Sequence, residues 1–277
     1  VTDVPAYPTT GGQQWADWRA DEFDRALQEP DRWFVLLPIG AVEQHGSHLP
    51  VDVDIRCAQS VCDAVAAGDP NVIVAPALPF GFSPGQTYRP GTITLRTETL
   101  LNCLRDICAS IFAVGFRRLL IVNGHNGNKW MAGAAVSDVA RPTGTYFGML
   151  TYFDLAIDAF QQHRRSGVGG EGHAGELETA IYQHLRPDHV GADMAVRYVE
   201  SFSDAGMRDL AVRGPAQLAG PQPSSVLYPD GVMGDPTAAT AELGARLFAA
   251  AVEGIAQIVA DVATHAATAA TANGHAH

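Results

Sequence analysis

The sequence predicts an α/β fold: a mostly parallel sheet flanked by helices on both faces, forming a single three-layer domain over residues 1–263. Three observations predict it. Short apolar runs alternate with longer stretches of helical periodicity, in the order strand, helix, strand, helix. The runs are apolar throughout, as strands covered on both faces must be. The two richest polar clusters directly follow two of these runs, where open parallel sheets place their ligand crevices.

Residues 33–39, 72–78, 119–123 and 145–151 read as the buried strands, by their length and their β-branched or aromatic content. Between them, 55–67 is a helical pattern and 97–114 a clearer one. In the latter, Leu100, Leu101, Leu104, Ile107, Cys108, Ile111 and Phe112 recur at helical intervals, with Thr97 as the expected cap. Further helices are expected at 128–140 and 175–185. Asp235 and Pro236 supply a cap and a first-turn proline for an Ala-rich helix running to about Val262. Residues 201–228, with several prolines and glycines, read as an irregular surface excursion. The Ala/Thr-rich stretch 264–277, ending in two histidines, reads as a disordered tail.

Composition excludes some partners. The formal net charge is −12 and Lys129 is the single lysine, so neither nucleic acid nor anionic lipid finds the clustered cations it needs. No apolar run approaches the ~18–20 residues that cross a bilayer. The polar start of the chain has no basic patch leading into an apolar stretch, so a cytoplasmic location is expected. The cysteines, Cys57 with Cys62 and Cys103 with Cys108, are spaced too widely for a zinc clip or a redox pair. They read as small buried side chains in a reducing compartment.

Chemistry concentrates in three places. In the first, Glu43, His45, His48, Asp52 and Asp54 follow an apolar strand within a loop bounded by glycine and proline. In extended backbone, residues two apart point the same way, with Cα atoms roughly 6.5–7 Å apart. Glu43 and His45 therefore face one side, each able to serve one of two metal ions, which in hydrolytic sites lie about 3.5–4 Å apart. Asp54, beyond the Pro50 turn, is the candidate to bridge them. A lone histidine would read as a hydrogen-bonded core imidazole; this density of ligand-type side chains points to metal.

The second place is Asn123-Gly124-His125-Asn126-Gly127-Asn128, a histidine held between glycines at a strand's carboxyl end. Asn126 and Asn128 read as helix-capping residues. The segment lacks the glycine spacing and the Lys-Ser/Thr ending of a phosphate loop. The third runs from Gly169 to Thr179. A glycine-rich loop, read over 166–172 as a lid or hinge, feeds a helix whose first turn carries Glu176 and Glu178, acids that the helix dipole partly explains. His173, at the end of that loop, is placed to exchange protons with a bound substrate.

Together with Tyr88-Arg89-Pro90-Gly91-Thr92 and Gly231-Val232-Met233-Gly234-Asp235-Pro236, these blocks resemble creatininase-family amidohydrolases over about residues 33–258, in the same order. The resemblance implies an α/β fold, assembly into homohexamers and two divalent metal ions per chain (Zn, Mn or Fe). It implies that Glu43 and His125 bind one ion, His45 the other, and Asp54 both. In creatinine-hydrolysing members a second glutamate lies two residues after the histidine of the Asn-Gly-His block. Here that position is Gly127, which leaves Glu178 or Glu176 to complete the second ion. His173 and Glu178 are the catalytic candidates. His173 would stabilise the tetrahedral intermediate or protonate the leaving nitrogen, while Glu178 would orient it or complete the metal shell. His48 is expected to support the ligands, and Asp52 to orient the loop.

The implied reaction is cleavage of a C–N amide bond, in a cyclic amide or formamide of a small molecule, by a hydroxide shared between the ions. Two departures point away from creatinine. Glycines stand before His173 where creatinine-cleaving members carry ring-covering tryptophans, and Gly85-Gln86-Thr87 stands where many relatives have a histidine. Two other readings stay open: a peptidase of the same family trimming a short modified peptide in cofactor maturation, and a non-catalytic metal-binding assembly protein.

Overall fold

The computed structural model describes residues 12–198 and 223–274, with side chains as far as residue 266 in the last helix. Five parallel strands form one sheet in the order β1-β3-β2-β4-β5. They are β1 (Gln13–Gln14), β2 (Phe34–Ile39), β3 (Val72–Val74), β4 (Arg118–Asn123) and β5 (Tyr146–Thr151). The helices are α1 (Ala20–Ala26), α2 (Val53–Gly68), α3 (Thr97–Val114), α4 (Lys129–Thr143), α5 (Ile157–His163), α6 (Glu176–Leu185), α7 (Ser224–Leu227) and α8 (Ala241–Gly274).

Central strands β2 and β4 are buried at every residue, and their alternating side chains part into two cores. Leu36, Leu120 and Val122 face a core shared with Val61 of α2, Ile181 of α6 and Phe248 of α8. Leu37, Leu119 and Ile121 face the other, shared with Leu104 of α3 and Ala135 of α4. Each fully buried leucine or isoleucine contributes about 1.5–3 kcal/mol, so covering both faces locks the three layers. Ile39 lies opposite Asn123, and Asn123 opposite Thr151. The strands therefore end level, and the loops that leave them open onto one edge.

The expected three-layer α/β architecture is the observed one, with local differences. β3 stops at Val74 because Pro76 has no N–H to continue the ladder. β1, polar and two residues long, and the short helices α1 and α5 give no periodic signal. Arg96, not Thr97, occupies the N-cap of α3. Asp235 caps a single 3-10 turn (Pro236–Ala238), its Oδ1 accepting the Thr237 N–H at 3.1 Å. The long helix begins later, with the Thr240 hydroxyl taking the Leu243 N–H at 3.1 Å. It also runs to Gly274, past the expected end near Val262, because alanine is the strongest helix former. The expected tail is thus helical over 264–274, and the terminal histidines lie outside the described residues. Most of the expected excursion at 201–228 also lies outside them. Cys57, Cys62 and Cys108 are buried and all four cysteines are free thiols.

Candidate metal centre

The loops after β2 and β4 and the start of α6 meet at one point. The loop after β2 folds back on itself, the Glu43 N–H donating to the Val51 carbonyl at 3.1 Å. This delivers the chain into α2 with Asp54 in its first turn, where the helix dipole favours a carboxylate. Gly124, directly after β4, lies against that turn: a Cβ there would stand 2.1 Å from the Asp54 carbonyl oxygen. Only glycine lets the chain carry His125 so close to Asp54.

The two oxygens of Asp54 face different imidazoles. Oδ1 is 3.3 Å from His45 Nε2, and Oδ2 is 3.1 Å from His125 Nδ1. Glu43 Oε1 lies 3.5 Å from His125 Nδ1 and 3.3 Å from His173 Nδ1, and Glu178 Oε2 lies 3.5 Å from His45 Nε2. Each imidazole turns its other nitrogen to a main-chain carbonyl. His45 Nδ1 meets that of Glu43 at 3.1 Å, His125 Nε2 that of Phe82 at 2.9 Å, and His173 Nε2 that of Gln44 at 2.7 Å. A carbonyl only accepts, so these outward nitrogens carry protons and the inward ones are free to act as ligands.

Glu43, His45 and Asp54 are buried, yet Glu43 Oε2, His45 Nε2 and Asp54 Oδ2 make no hydrogen bond. His45 Nε2 and Asp54 Oδ2 lie close enough to their neighbours for ionic contact but are not aligned for hydrogen bonding, and each orphaned buried group costs about 1–3 kcal/mol. Among the described residues, three sets of ligand atoms lie within 4.8 Å of one another: Glu43-Asp54-His125, His45-Asp54-Glu178 and Glu43-His45-His173. Imidazoles and carboxylates in this ratio suit divalent zinc or manganese, so the residues present fit the implied ions.

Protons hold the cluster together without metal. Burial alone would lower the pKa of His45, but Asp54, Glu178 and Glu43 push it up to about 10. Burial is likewise overcome at His125, where Glu43 and Asp54 push the imidazole up to about 9. Burial would raise Asp54, but His45 and His125 hold it well below the usual carboxylate range. At Glu178 burial, helped by repulsion from Asp54, outweighs the attraction of His45 and pushes the pKa up to about 8.

Residues 16–259 match the family profile described as creatininase, creatinine amidohydrolase. The chain belongs to the creatininase family. A mycofactocin precursor peptide peptidase from Mycolicibacterium smegmatis is 34% identical over 227 residues, covering 80% of this chain and 82% of that protein. A creatinine amidohydrolase from Pseudomonas putida is 33% identical over 178 residues, covering 58% of this chain and 68% of that protein. The solved structure described as "Creatininase Mn" superposes with a TM-score of 0.75 over 90% of this chain and 98% of that one, at 25% identity.

Within the creatininase framework, Gly127 leaves no room for the glutamate of the creatinine-hydrolysing members. A Cβ there would stand 2.3 Å from the Phe82 carbonyl oxygen and 2.4 Å from His125 Nε2. The hydrogen bond anchoring His125 and a side chain at 127 exclude each other. Of the two acids on α6, Glu178 faces the cluster, its Oε2 accepting the Ala174 N–H at 2.6 Å. Glu176 faces away and takes the N–H groups of Arg165 and Ser166 at 2.7 and 3.0 Å. The segment 166–172, read from the sequence as a lid or hinge, is tied down at its start, where Glu176 accepts from Ser166. His48 Nε2 meets the Thr179 hydroxyl at 3.0 Å, beside Glu178, and burial lowers its pKa to about 4. Asp52 stays outside the cluster, accepting from the Tyr182 hydroxyl at 2.7 Å and from Arg56 Nε at 3.0 Å.

Two asparagines do more than capping chemistry suggests. Asn128 holds the N-cap position of α4 without a side-chain capping bond: its Nδ2 donates to the Gly40 carbonyl and its Oδ1 accepts the Phe82 N–H, both at 2.9 Å. It thereby fastens the end of β2 to the segment that anchors His125. Asn123, which opens the second block but is assigned no role there, is fully buried, accepts the His125 N–H at 3.1 Å and donates to the His125 carbonyl at 2.7 Å. An asparagine closing a wholly apolar strand was the available signal, because a side chain buried there must find hydrogen-bond partners.

Proposed function

We propose that the chain is a metal-dependent amidohydrolase that holds two divalent cations and cleaves a C–N amide bond in a short peptide. The observation carrying the metal reading is Asp54, whose oxygens are divided between His45 and His125. Glu43 and His125 would hold one cation, His45 and Glu178 the other, and Asp54 both. Bound there, the cations supply an acidified water near neutral pH and polarise the amide carbonyl.

The chain's own residues position and move the protons. The Gln44 carbonyl fixes the ring of His173 with Nδ1 towards Glu43. Burial holds that imidazole well below its usual pKa, so it enters the reaction neutral. Nδ1 then accepts a proton as water attacks, and returns it to the amide nitrogen as the C–N bond breaks. His173 therefore serves first as base and then as acid, where the resemblance implied that it stabilises the tetrahedral intermediate or protonates the leaving nitrogen.

The peptide reading is supported by the Mycolicibacterium smegmatis relative and by the glycines before His173, with no tryptophan after Trp130 to cover a flat ring. A cyclic amide or formamide of a small molecule is the second reading, favoured by the likeness to the Pseudomonas putida creatinine amidohydrolase. The test is elemental analysis of protein loaded with zinc or manganese, followed by a screen of short peptides, cyclic amides and formamides. About two equivalents of metal and chelator-sensitive peptide hydrolysis are expected. Turnover of small amides without any peptide turnover would transfer the assignment to the second reading. Absence of both metal and turnover would remove it altogether.

A further inference from the structure

The glycine-rich segment before α6 is closed by a carboxylate that never touches the cluster. Glu176 is fully buried. Its Oε1 accepts the Arg165 N–H at 2.7 Å, and its Oε2 accepts the Ser166 N–H at 3.0 Å and the Ser166 hydroxyl at 2.5 Å. Its own N–H returns to the Gly170 carbonyl at 3.0 Å, which also takes the Asp235 N–H at 2.9 Å. Gly170 is packed so closely that a Cβ would stand 2.4 Å from Ser166 Cβ. Gly170, Gly172 and Gly175 here serve close packing.

His173 and Ala174 lie inside this closed segment. Among the described residues, Ala174 alone combines a side chain with a positive φ, 56°. That left-handed conformation is disfavoured for alanine and persists only where the surroundings enforce it. It aims the Ala174 N–H at Glu178 Oε2, 2.6 Å away. On the same stretch, the His173 carbonyl accepts the Met233 N–H at 2.8 Å.

We propose that Glu176 is a positioning residue: its buried carboxylate keeps residues 165–175 closed and Ala174 left-handed, and so aims Glu178 and His173 at the metal cluster. The inference rests on the roles given to those two residues under the proposed function. It separates the paired acids of α6, one facing the cluster and the other holding the segment that aims it.

Glu176→Gln tests it, because the substitution keeps the volume but turns an amide donor towards donors. Three readouts apply: amide exchange of 164–178, zinc titration, and kcat with KM on whichever substrate the screen yields. Exchange over 164–178 is expected to rise at least ~10-fold, with β2 and β4 unchanged. The second zinc equivalent should bind at least ~10-fold more weakly while the first is retained. kcat should fall at least ~10-fold with KM little altered. Adding Ala174→Gly, which relieves the backbone penalty, should recover part of the zinc affinity and of kcat.

Wild-type zinc affinity and kcat in Glu176→Gln would overturn the proposal. So would a loss that Ala174→Gly leaves untouched, since the damage would then be general. If the unmodified protein takes up no zinc, the metal reading fails separately. The exchange comparison, which needs no metal, still decides whether Glu176 holds the segment.

Discussion

In the proposed function Asp54 serves binding and His173 proton transfer, and their replacements should separate the two. Asp54→Ala is expected to abolish metal uptake and hydrolysis together, by elemental analysis and amide assay. His173→Ala should keep the metal and lose at least ~10²-fold in kcat. Protonation gives a third test. His45 and His125, pushed up to about 10 and about 9, carry protons at pH 7 that a cation must displace. Metal loading at pH 7 should therefore release protons, and apparent affinity should climb as pH approaches 9–10. The same raised values stabilise the metal-free protein most below the ordinary histidine pKa of 6.5, and that stability is lost as pH rises through about 9 and about 10. Calorimetry in buffers of different ionisation enthalpy would reveal the protons, and a release of none would contradict the ligand assignment. At this scale the side chains that converge on the cluster were legible in the sequence because residue identity carries them. Their orienting partners were not, since the carbonyls of Glu43, Phe82 and Gln44 are groups that every residue possesses.

The junction of β4 with α2 decides whether His125 reaches the cluster. Gly124→Ala would drive a methyl group into the Asp54 carbonyl, 2.1 Å away. The expected result is a loss of about 1–3 kcal/mol in denaturant unfolding, together with weaker metal binding. Unchanged affinity would show that this contact does not set the approach. Elements bounded by strong patterns were legible: β2 and β4 by continuous burial, α3 by its periodicity. Elements set by context were not. β1 exists because it pairs with β3, and nothing in Gln13-Gln14 announces a strand. Glu176 and Glu178 lie roughly 200° apart around a helix, and the sequence alone leaves open which of them serves the cluster.

Across the whole molecule, the proposed cations would add stability to a fold already closed by two cores. At a thousandfold excess over its Kd, one ligand stabilises by about 4 kcal/mol. In a chain of this size that corresponds to roughly 10 °C of melting temperature. Chelation should therefore produce a shift of that order, measured by differential scanning calorimetry. The ligands run from residue 43 to residue 178 and converge only once β2 and β4 have paired at the centre of the sheet. Under the proposed function, metal would therefore meet a site that only the folded chain assembles. Zinc should leave the refolding rate alone and act on the unfolding limb, making the ions a brake on escape from the native state with no part in finding it.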